Sequence, residues 1–280
     1  MISIYTSAYN LISMGFSWKD TFTHWLAFLK NSGQIVVAVN TSTDDTAAKV
    51  RAFFDQYVAE HPWCVTKINV VEAEIPYTDR EFDGKLKALA LSHCTEPYAI
   101  LLDCDEIIPP HQRNLWMGMV RELENRRNID ALLVPVIDLI GDEQHFKSIG
   151  SKWYLHRNTP NITRGVVGFA RREDGTFDTS KSDSCEAIYK DSGELVRAGP
   201  ILTPSLPDFL KLTNLESGET PYVIHLGWIN LEQRLKQTEF WKPHWENREG
   251  KPDSQPKTTL ADLEKIRRLR HGLADWRVIT

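Results

Sequence analysis

Residues 101–107 read Leu-Leu-Asp-Cys-Asp-Glu-Ile, with two carboxylates one residue apart at the end of an apolar run. Alternate side chains of a strand share a face, so Asp103 and Asp105 are expected to point one way and Cys104 the other. In an open parallel sheet, ligands bind outside the carboxyl ends of the strands. Two carboxylates held together there repel each other unless a cation lies between them. A hard divalent ion with oxygen ligands, Mn²⁺ or Mg²⁺, suits that place. It can bridge a diphosphate and offset the charge released when a bond to phosphate breaks. A bare Asp-x-Asp serves equally well to cap a helix; its position after a buried strand favours the cation.

The second group is Val223-Ile-His-Leu-Gly-Trp228, where a strand delivers His225 to a Gly-Trp turn that leads into a helix expected over 231–240. A neutral imidazole is an acceptable third ligand to Mn²⁺. Held instead by hydrogen bonds behind the site, His225 would only position its neighbours.

The elements that must place these groups are legible as apolar periodicity. Strands are expected at 2–5, 34–39, 65–71, 98–102 and 131–137. Helices are expected at 18–29, 47–59, 85–93 and 114–126. Asp44 and Asp45, in the polar run Asn40-Thr-Ser-Thr-Asp-Asp-Thr46, read as caps of the second helix. The alternation implies an α/β fold with a doubly wound, mostly parallel, Rossmann-like sheet flanked by helices. Beyond residue 140 the pattern loosens into long loops, with short strand candidates at 153–156, 166–170 and 222–226. The tail over 231–280 reads as a largely helical extension. Trp228, Trp241, Trp245 and Trp276 read mainly as core packing.

A chain of 280 residues with a net charge of −5 has room for one large α/β domain or two small ones, and its mild acidity speaks against nucleic acid as a partner. Cys64, Cys94, Cys104 and Cys185 show no metal-ligand or disulfide spacing. With no signal-peptide pattern and no apolar run of bilayer length, the expected location is cytoplasmic. An apolar stripe at 260–276 beside Lys265, Arg267, Arg268 and Arg270 leaves peripheral membrane contact through a C-terminal helix open. Docking of that helix on its own domain is favoured.

Four pieces stand in a particular order: the strand and loop at 3–10, the turn at 40–46, Asp83-Gly-Lys85 opening a helix, and the pair Asp103 and Asp105. In this order and spacing, over roughly the first 110 residues, the chain resembles a family 2-type glycosyltransferase of the GT-A fold. The resemblance implies a GT-A domain over 1–230, with a nucleotide-binding half at 1–112 and an acceptor half at 113–230. It implies a nucleotide-sugar donor and a carbohydrate, lipid-linked or protein acceptor. Thr6, Ser7 and Tyr9 would line the base pocket, Lys85 would approach the donor phosphates, and His225 would join Asp105 and Asp103 at the metal. Asn40 stands where the family usually carries an Asp that accepts a hydrogen bond from uracil, so UDP is favoured. An inverting enzyme would need a base, for which Asp178, Asp183 and Glu186 are candidates. No copy of the family's Glu-Asp motif selects among them, and retention of configuration stays open.

Three other readings compete. A haloacid-dehalogenase phosphatase places a similar acidic strand at the start of its fold, whereas here a nucleotide-pocket-like segment comes first. A sugar nucleotidyltransferase usually opens with a loop carrying Gly and Arg, which residues 7–10 lack. A non-catalytic nucleotide- or sugar-binding homologue would keep the fold without turnover.

Overall fold

Strand β1 (Ile2–Ala8) lies at the middle of the first half of the chain and is buried along nearly its whole length. Its side chains alternate between two apolar layers: Ile2 and Ile4 join one cluster, Tyr5 the other. In β2 (Gln34–Asn40) the same period sends Ile35, Val37 and Val39 to the first layer and Val36 and Ala38 to the second. A strand covered on both faces reads as an unbroken apolar run, and that is why Ile35 to Val39 carries no polar residue.

A computed structural model of the protein describes residues 1–30, 32–79, 82–160, 162–164, 169–171, 177–182, 188–190, 198–200, 220–230, 232–234, 236–237, 239 and 267–268. The first layer is closed by helix α1 (Trp18–Leu29), which presses Trp18, Phe22, Trp25, Leu26 and Leu29 onto the sheet. Helix α2 (Thr46–Glu60) adds Val50 and Phe54. Strand β3 (Lys67–Ala73) follows, and then α3 (Phe82–Ser92) covers the opposite face with Phe82, Leu86 and Ala90. Next come β4 (Tyr98–Leu101), the two-residue β5 (Glu106–Ile107), a 3₁₀ turn (Pro110–Gln112) and α4 (Arg113–Asn125). Long strands β6 (Ala131–Ile140) and β7 (His145–Arg157) complete this region.

The sheet order begins β3-β2-β1-β4, all parallel. The chain runs outward from β1 through β2 to β3, then crosses to the other side of β1 for β4. That reversal opens a crevice at the carboxyl ends of β1 and β4. Beyond β4 the sheet is mixed: β7 is antiparallel to β4 and to β6.

The loops expected after residue 140 are therefore replaced in part by a hairpin whose second strand starts at His145, well before the candidate at 153–156. Short pieces β8 (Ile162–Arg164), β9 (Phe169–Arg171), β10 (Phe177–Ser182), β11 (Ile188–Lys190) and β12 (Ala198–Pro200) follow. Residues 166–168 of the expected strand lie outside the described residues. Strand β13 (Val223–Trp228) returns to the main sheet between β6 and β5, parallel to the first and antiparallel to the second. In the tail, β14 (Arg267–Arg268) pairs antiparallel with His145 and Phe146, so these two residues do not continue a helix. Most of the remaining tail, including Trp241, Trp245 and Trp276, lies outside the described residues. Among the described residues no helix is long and apolar enough to cross a membrane.

Candidate functional site

Strand β4 stops at Leu101, and the acidic pair falls in a turn in which the Glu106 amide donates to the Asp103 carbonyl at 2.9 Å. Strand alternation therefore does not govern Asp103 and Asp105, and the expectation that they share a face is corrected. Their carboxylates lead to two different sets of partners.

Asp103 turns toward cations. Its Oδ1 lies 3.0 Å from Lys87 Nζ and its Oδ2 lies 3.0 Å from Lys152 Nζ. Lys87 continues to Asp83 at 3.0 Å, and Asp83 accepts from Ser7 Oγ at 2.7 Å. Lys152 continues to Glu106 Oε1 at 2.7 Å, while the other Glu106 oxygen accepts from the Asp103 amide at 2.9 Å. Burial works against the charge on Asp103, but the Lys152 and Lys87 ammonium groups outweigh it and hold its carboxyl well below the usual range. For Glu106, 1% exposed, burial dominates Lys152 and pushes the carboxyl up. Removing one member of a buried charge network strands the others. Lys152→Met is expected to destabilise the fold by about 3–5 kcal/mol at pH 7. The deficit, measured by urea unfolding, should shrink as pH falls and Glu106, its carboxyl raised by burial, takes up a proton.

Asp105 turns toward β13. The pairing register sets His225 opposite Glu106 on one side and Asp138 on the other. The Leu226 amide donates to the Asp105 carbonyl at 2.7 Å, which ties the acidic turn to that strand. Asp105 Oδ2 then lies 3.4 Å from His225 Nε2, and His225 Nδ1 lies 2.8 Å from Asp138 Oδ1. Arg234, its guanidinium 4.6 Å over the Trp228 ring, extends its field to Asp105 and Asp138.

Burial works to lower the His225 pKa, but Asp105 and Asp138 prevail and push it up to about 10. Burial would raise Asp105, and the His225 imidazolium holds it below its ordinary value instead. The signs define a window. With the folded Asp105 depressed, its contribution to stability is present above about pH 4 and is lost as pH falls through the folded value. With the folded His225 elevated, its contribution is complete below about pH 6.5 and is lost as pH rises through about 10. His225→Gln should flatten the alkaline side of a Tm-against-pH profile.

Gly227 explains how the pair stays accessible. A Cβ there would sit 2.6 Å from His225 Nε2 and 2.9 Å from Asp105 Oδ2. The missing side chain leaves room directly in front of both donor atoms. A glycine within a strand commonly marks such a close approach or a bulge, and the β6 register does shift between His225 and Trp228. Asp105 also lines a small, partly open cleft with Phe16, Ser17, Gly227, Asn230 and Gln237 among its walls.

A divalent cation fits Asp105 and His225. The Asp138 contact at Nδ1 is the carboxylate–histidine arrangement that orients a ligating imidazole toward its metal. Among the described residues there is no group of three or more His, Cys, Asp and Glu able to cage an ion. Asp105 and His225 would therefore be the two side-chain donors to such an ion among the described residues.

The other expected site residues are placed as follows. Thr6 is fully buried and donates to the Ser7 carbonyl at 3.2 Å, with Cys104 Sγ 3.6 Å away. Tyr9 stacks on Tyr77 at 5.4 Å and meets the edge of Phe82 at 5.1 Å. Asn40 donates from Nδ2 to the Ile75 carbonyl at 2.9 Å and accepts the Ile75 amide at 2.7 Å, so both ends of its amide hold that loop. Lys85 pairs with Asp79 at 2.7 Å; Lys87, one helical turn after Asp83, reaches Asp103 instead. Asp178 lies in β10 opposite Ala170, while Asp183 and Glu186 lie outside the described residues. Asp44 accepts the Thr46 amide at 3.0 Å and the Ser13 amide at 2.9 Å, whereas Asp45 at the N-cap makes no side-chain cap.

Sequence reasoning missed Lys87, Lys152, Asp138 and Gly227. Lys87 was signalled by its four-residue spacing from Asp83, and Asp138 by being the one polar residue within 131–140. Lys152 had no local signal.

No family model and no curated protein matches this sequence. Among solved structures, the chain is similar to S. aureus TarS 1–349 at 12% identity and a TM-score of 0.47, over 94% of this chain and 77% of that one. Against another TarS structure, at 16% identity and a TM-score of 0.40, the match covers 56% of this chain and 28% of that one. The chain thus spans less than a third of the TarS chain in that second structure. It is also similar to HddC from Yersinia pseudotuberculosis, at 14% identity and a TM-score of 0.39, over 86% of this chain and 100% of that one. A further match is glucosyl-3-phosphoglycerate synthase from Mycobacterium tuberculosis, in complex with Mg²⁺ and UDP, at 16% identity and a TM-score of 0.29, over 49% and 43% of the two chains. Likenesses at this level assign neither a family nor a reaction.

Proposed function

We propose that the protein is a metal-dependent glycosyltransferase that moves a sugar from a nucleotide-diphosphate sugar, UDP-sugar favoured, to an acceptor hydroxyl. One observation carries the reading: Asp105 Oδ2 and His225 Nε2 lie 3.4 Å apart beside a cleft, with the space before them kept clear by Gly227. Asp105 and His225 would hold Mn²⁺ or Mg²⁺, which when bound supplies positive charge to the leaving diphosphate. The His225 imidazolium would have to lose its Nε2 proton before binding a metal, after which Asp138 at Nδ1 would keep the ring turned so that Nε2 faces the ion. Lys87 and Lys152 neutralise Asp103, so that a second bare carboxylate does not oppose an anionic ligand. Ser7 and Tyr9, around the carboxyl end of β1, are assigned to the nucleotide side, with Asn40 holding the Ile75 loop beside them. In an inverting reaction Asp178, Asp183 or Glu186 would take the proton of the acceptor hydroxyl.

Incubation with UDP-glucose or UDP-N-acetylglucosamine and Mn²⁺ tests the activity: slow donor hydrolysis to UDP, stopped by EDTA, supports a transferase. The neutralised Asp103 favours a second reading, a homologue that binds the nucleotide sugar without turnover. Tight Mn²⁺-dependent binding with intact donor after prolonged incubation would select it.

A further inference from the structure

Arg234 stands near Asp105 and His225 without a role in the contacts between them. It belongs to the segment that leaves the Gly227–Trp228 turn, where Gln233 and Gln237 are four residues apart and so share a side of a helical turn. Both glutamines donate from Nε2 to the Met14 carbonyl, at 3.0 and 3.3 Å, which ties the segment to the loop after β1. The Arg234 amide donates to the Asn230 carbonyl at 2.9 Å. Its backbone is thereby fixed, and its guanidinium lies 4.6 Å over the Trp228 ring.

An arginine so close to acids ordinarily forms an ion pair. Among the described residues Arg234 forms none. Its Nε is buried without a hydrogen-bond partner, and its two terminal nitrogens, also without one, are not sealed in. Burial opposes its charge, while Asp105 and Asp138 act the other way without touching it. The stack on Trp228 holds a planar fork of donors in one orientation, and such a fork matches two oxygens of a phosphate. A divalent cation bound at Asp105 and His225 would add like charge near this guanidinium. An anion that touches both the cation and the fork removes that repulsion. We infer that Arg234 is a phosphate-binding residue, whose terminal nitrogens donate to the diphosphate that a cation at Asp105 and His225 would hold. The inference rests on the metal and nucleotide reading above and adds a residue to it.

The test compares wild type with Arg234→Met, which keeps an apolar stem over Trp228, and with Arg234→Lys, which keeps the charge but not the fork. The probes are UDP with and without Mn²⁺, inorganic pyrophosphate with Mg²⁺, and uridine, which carries no phosphate. In calorimetric titrations Arg234→Met should weaken both diphosphates by about ten- to hundred-fold, the scale of a lost hydrogen bond to a charged group. Arg234→Lys should recover part of that loss. Uridine, followed by saturation transfer, should bind wild type and variants alike. An arginine that only packs on Trp228 would instead move uridine and UDP together, because its removal disturbs the turn and not a contact. Should Arg234→Met not fold, Arg234→Gln keeps a polar head without the charge and serves instead.

Mn²⁺-dependent UDP binding that is unchanged in Arg234→Met overturns the assignment and leaves the metal and nucleotide reading standing. Pyrophosphate bound through Arg234, beside no binding of UDP, upholds the phosphate contact and removes the nucleotide. An Arg234-dependent UDP affinity that is the same with and without Mn²⁺ upholds the phosphate contact and removes the cation. Equal losses for UDP and uridine, or no binding of either diphosphate to wild type, overturn the assignment.

Discussion

Replacing Asp105 with Asn is expected to abolish the metal-dependent part of UDP-sugar binding. The side chain keeps its size, and the Leu226 amide still finds the Asp105 backbone carbonyl, so the turn keeps its anchor to β13. What disappears is one of the two donors at the metal and the charge that makes it a good ligand. Loss of an orienting group behind a metal ligand typically costs 10–100-fold, so removal of the ligand itself should cost about 100-fold or more. Affinity for UDP measured in EDTA should not change. The variant should lose the stability that the Asp105–His225 pair contributes near neutral pH but stay folded, because His225 retains Asp138. Isothermal titration with and without Mn²⁺ reads both quantities, and an unaltered Mn²⁺ increment would remove Asp105 from the metal.

The second large effect needs only one methyl group. In Gly227→Ala the new Cβ would come within 2.6 Å of His225 Nε2 and 2.9 Å of Asp105 Oδ2. Neither neighbour can yield freely. The imidazole is held at Nδ1 by Asp138, and the Asp105 backbone is held by Leu226. The pair must therefore spread, and the methyl fills the space a cation would enter. Overpacking of this kind costs about 1–3 kcal/mol of stability. The loss of Mn²⁺-dependent donor affinity should be much larger in proportion, about 10–100-fold, as for other displaced metal-site geometry. Titration of the variant with UDP in EDTA separates the two effects. Equal losses with and without the metal would mean that Gly227 serves the strand and not the site.

The nucleotide-side half of the fold was legible because its elements declare themselves locally. Residues 18–29 carry the helical period, and 34–39 form the apolar run that burial on both faces requires. The order of these segments already implied a mostly parallel sheet with its ligands at the carboxyl ends of the strands. The second half depends on pairings distant in sequence. The β6–β7 hairpin brings Lys152 against Asp103 across 49 residues, and no local pattern announces that contact. The β13 register sets His225 between Asp138 and Glu106 for the same reason. The strand period failed at Asp103 because β4 had already ended at Leu101, so a turn decides where the two carboxylates go. Lys85 and Lys87 are two residues apart on a helix and so face different sides. The sequence made Lys85 conspicuous beside Gly84, but helix geometry gave the contact to Lys87.

The central claim is that Asp105 and His225 together form the protein's share of a metal site. Crystals soaked with UDP and Mn²⁺, with diffraction recorded at a wavelength where manganese scatters anomalously, test it most directly. The account predicts one strong anomalous peak about 2–2.3 Å from an Asp105 carboxylate oxygen and from His225 Nε2, with diphosphate oxygens completing the shell. UDP bound without any such peak, or a peak at another cluster while Asp105 and His225 keep their direct contact, would contradict it.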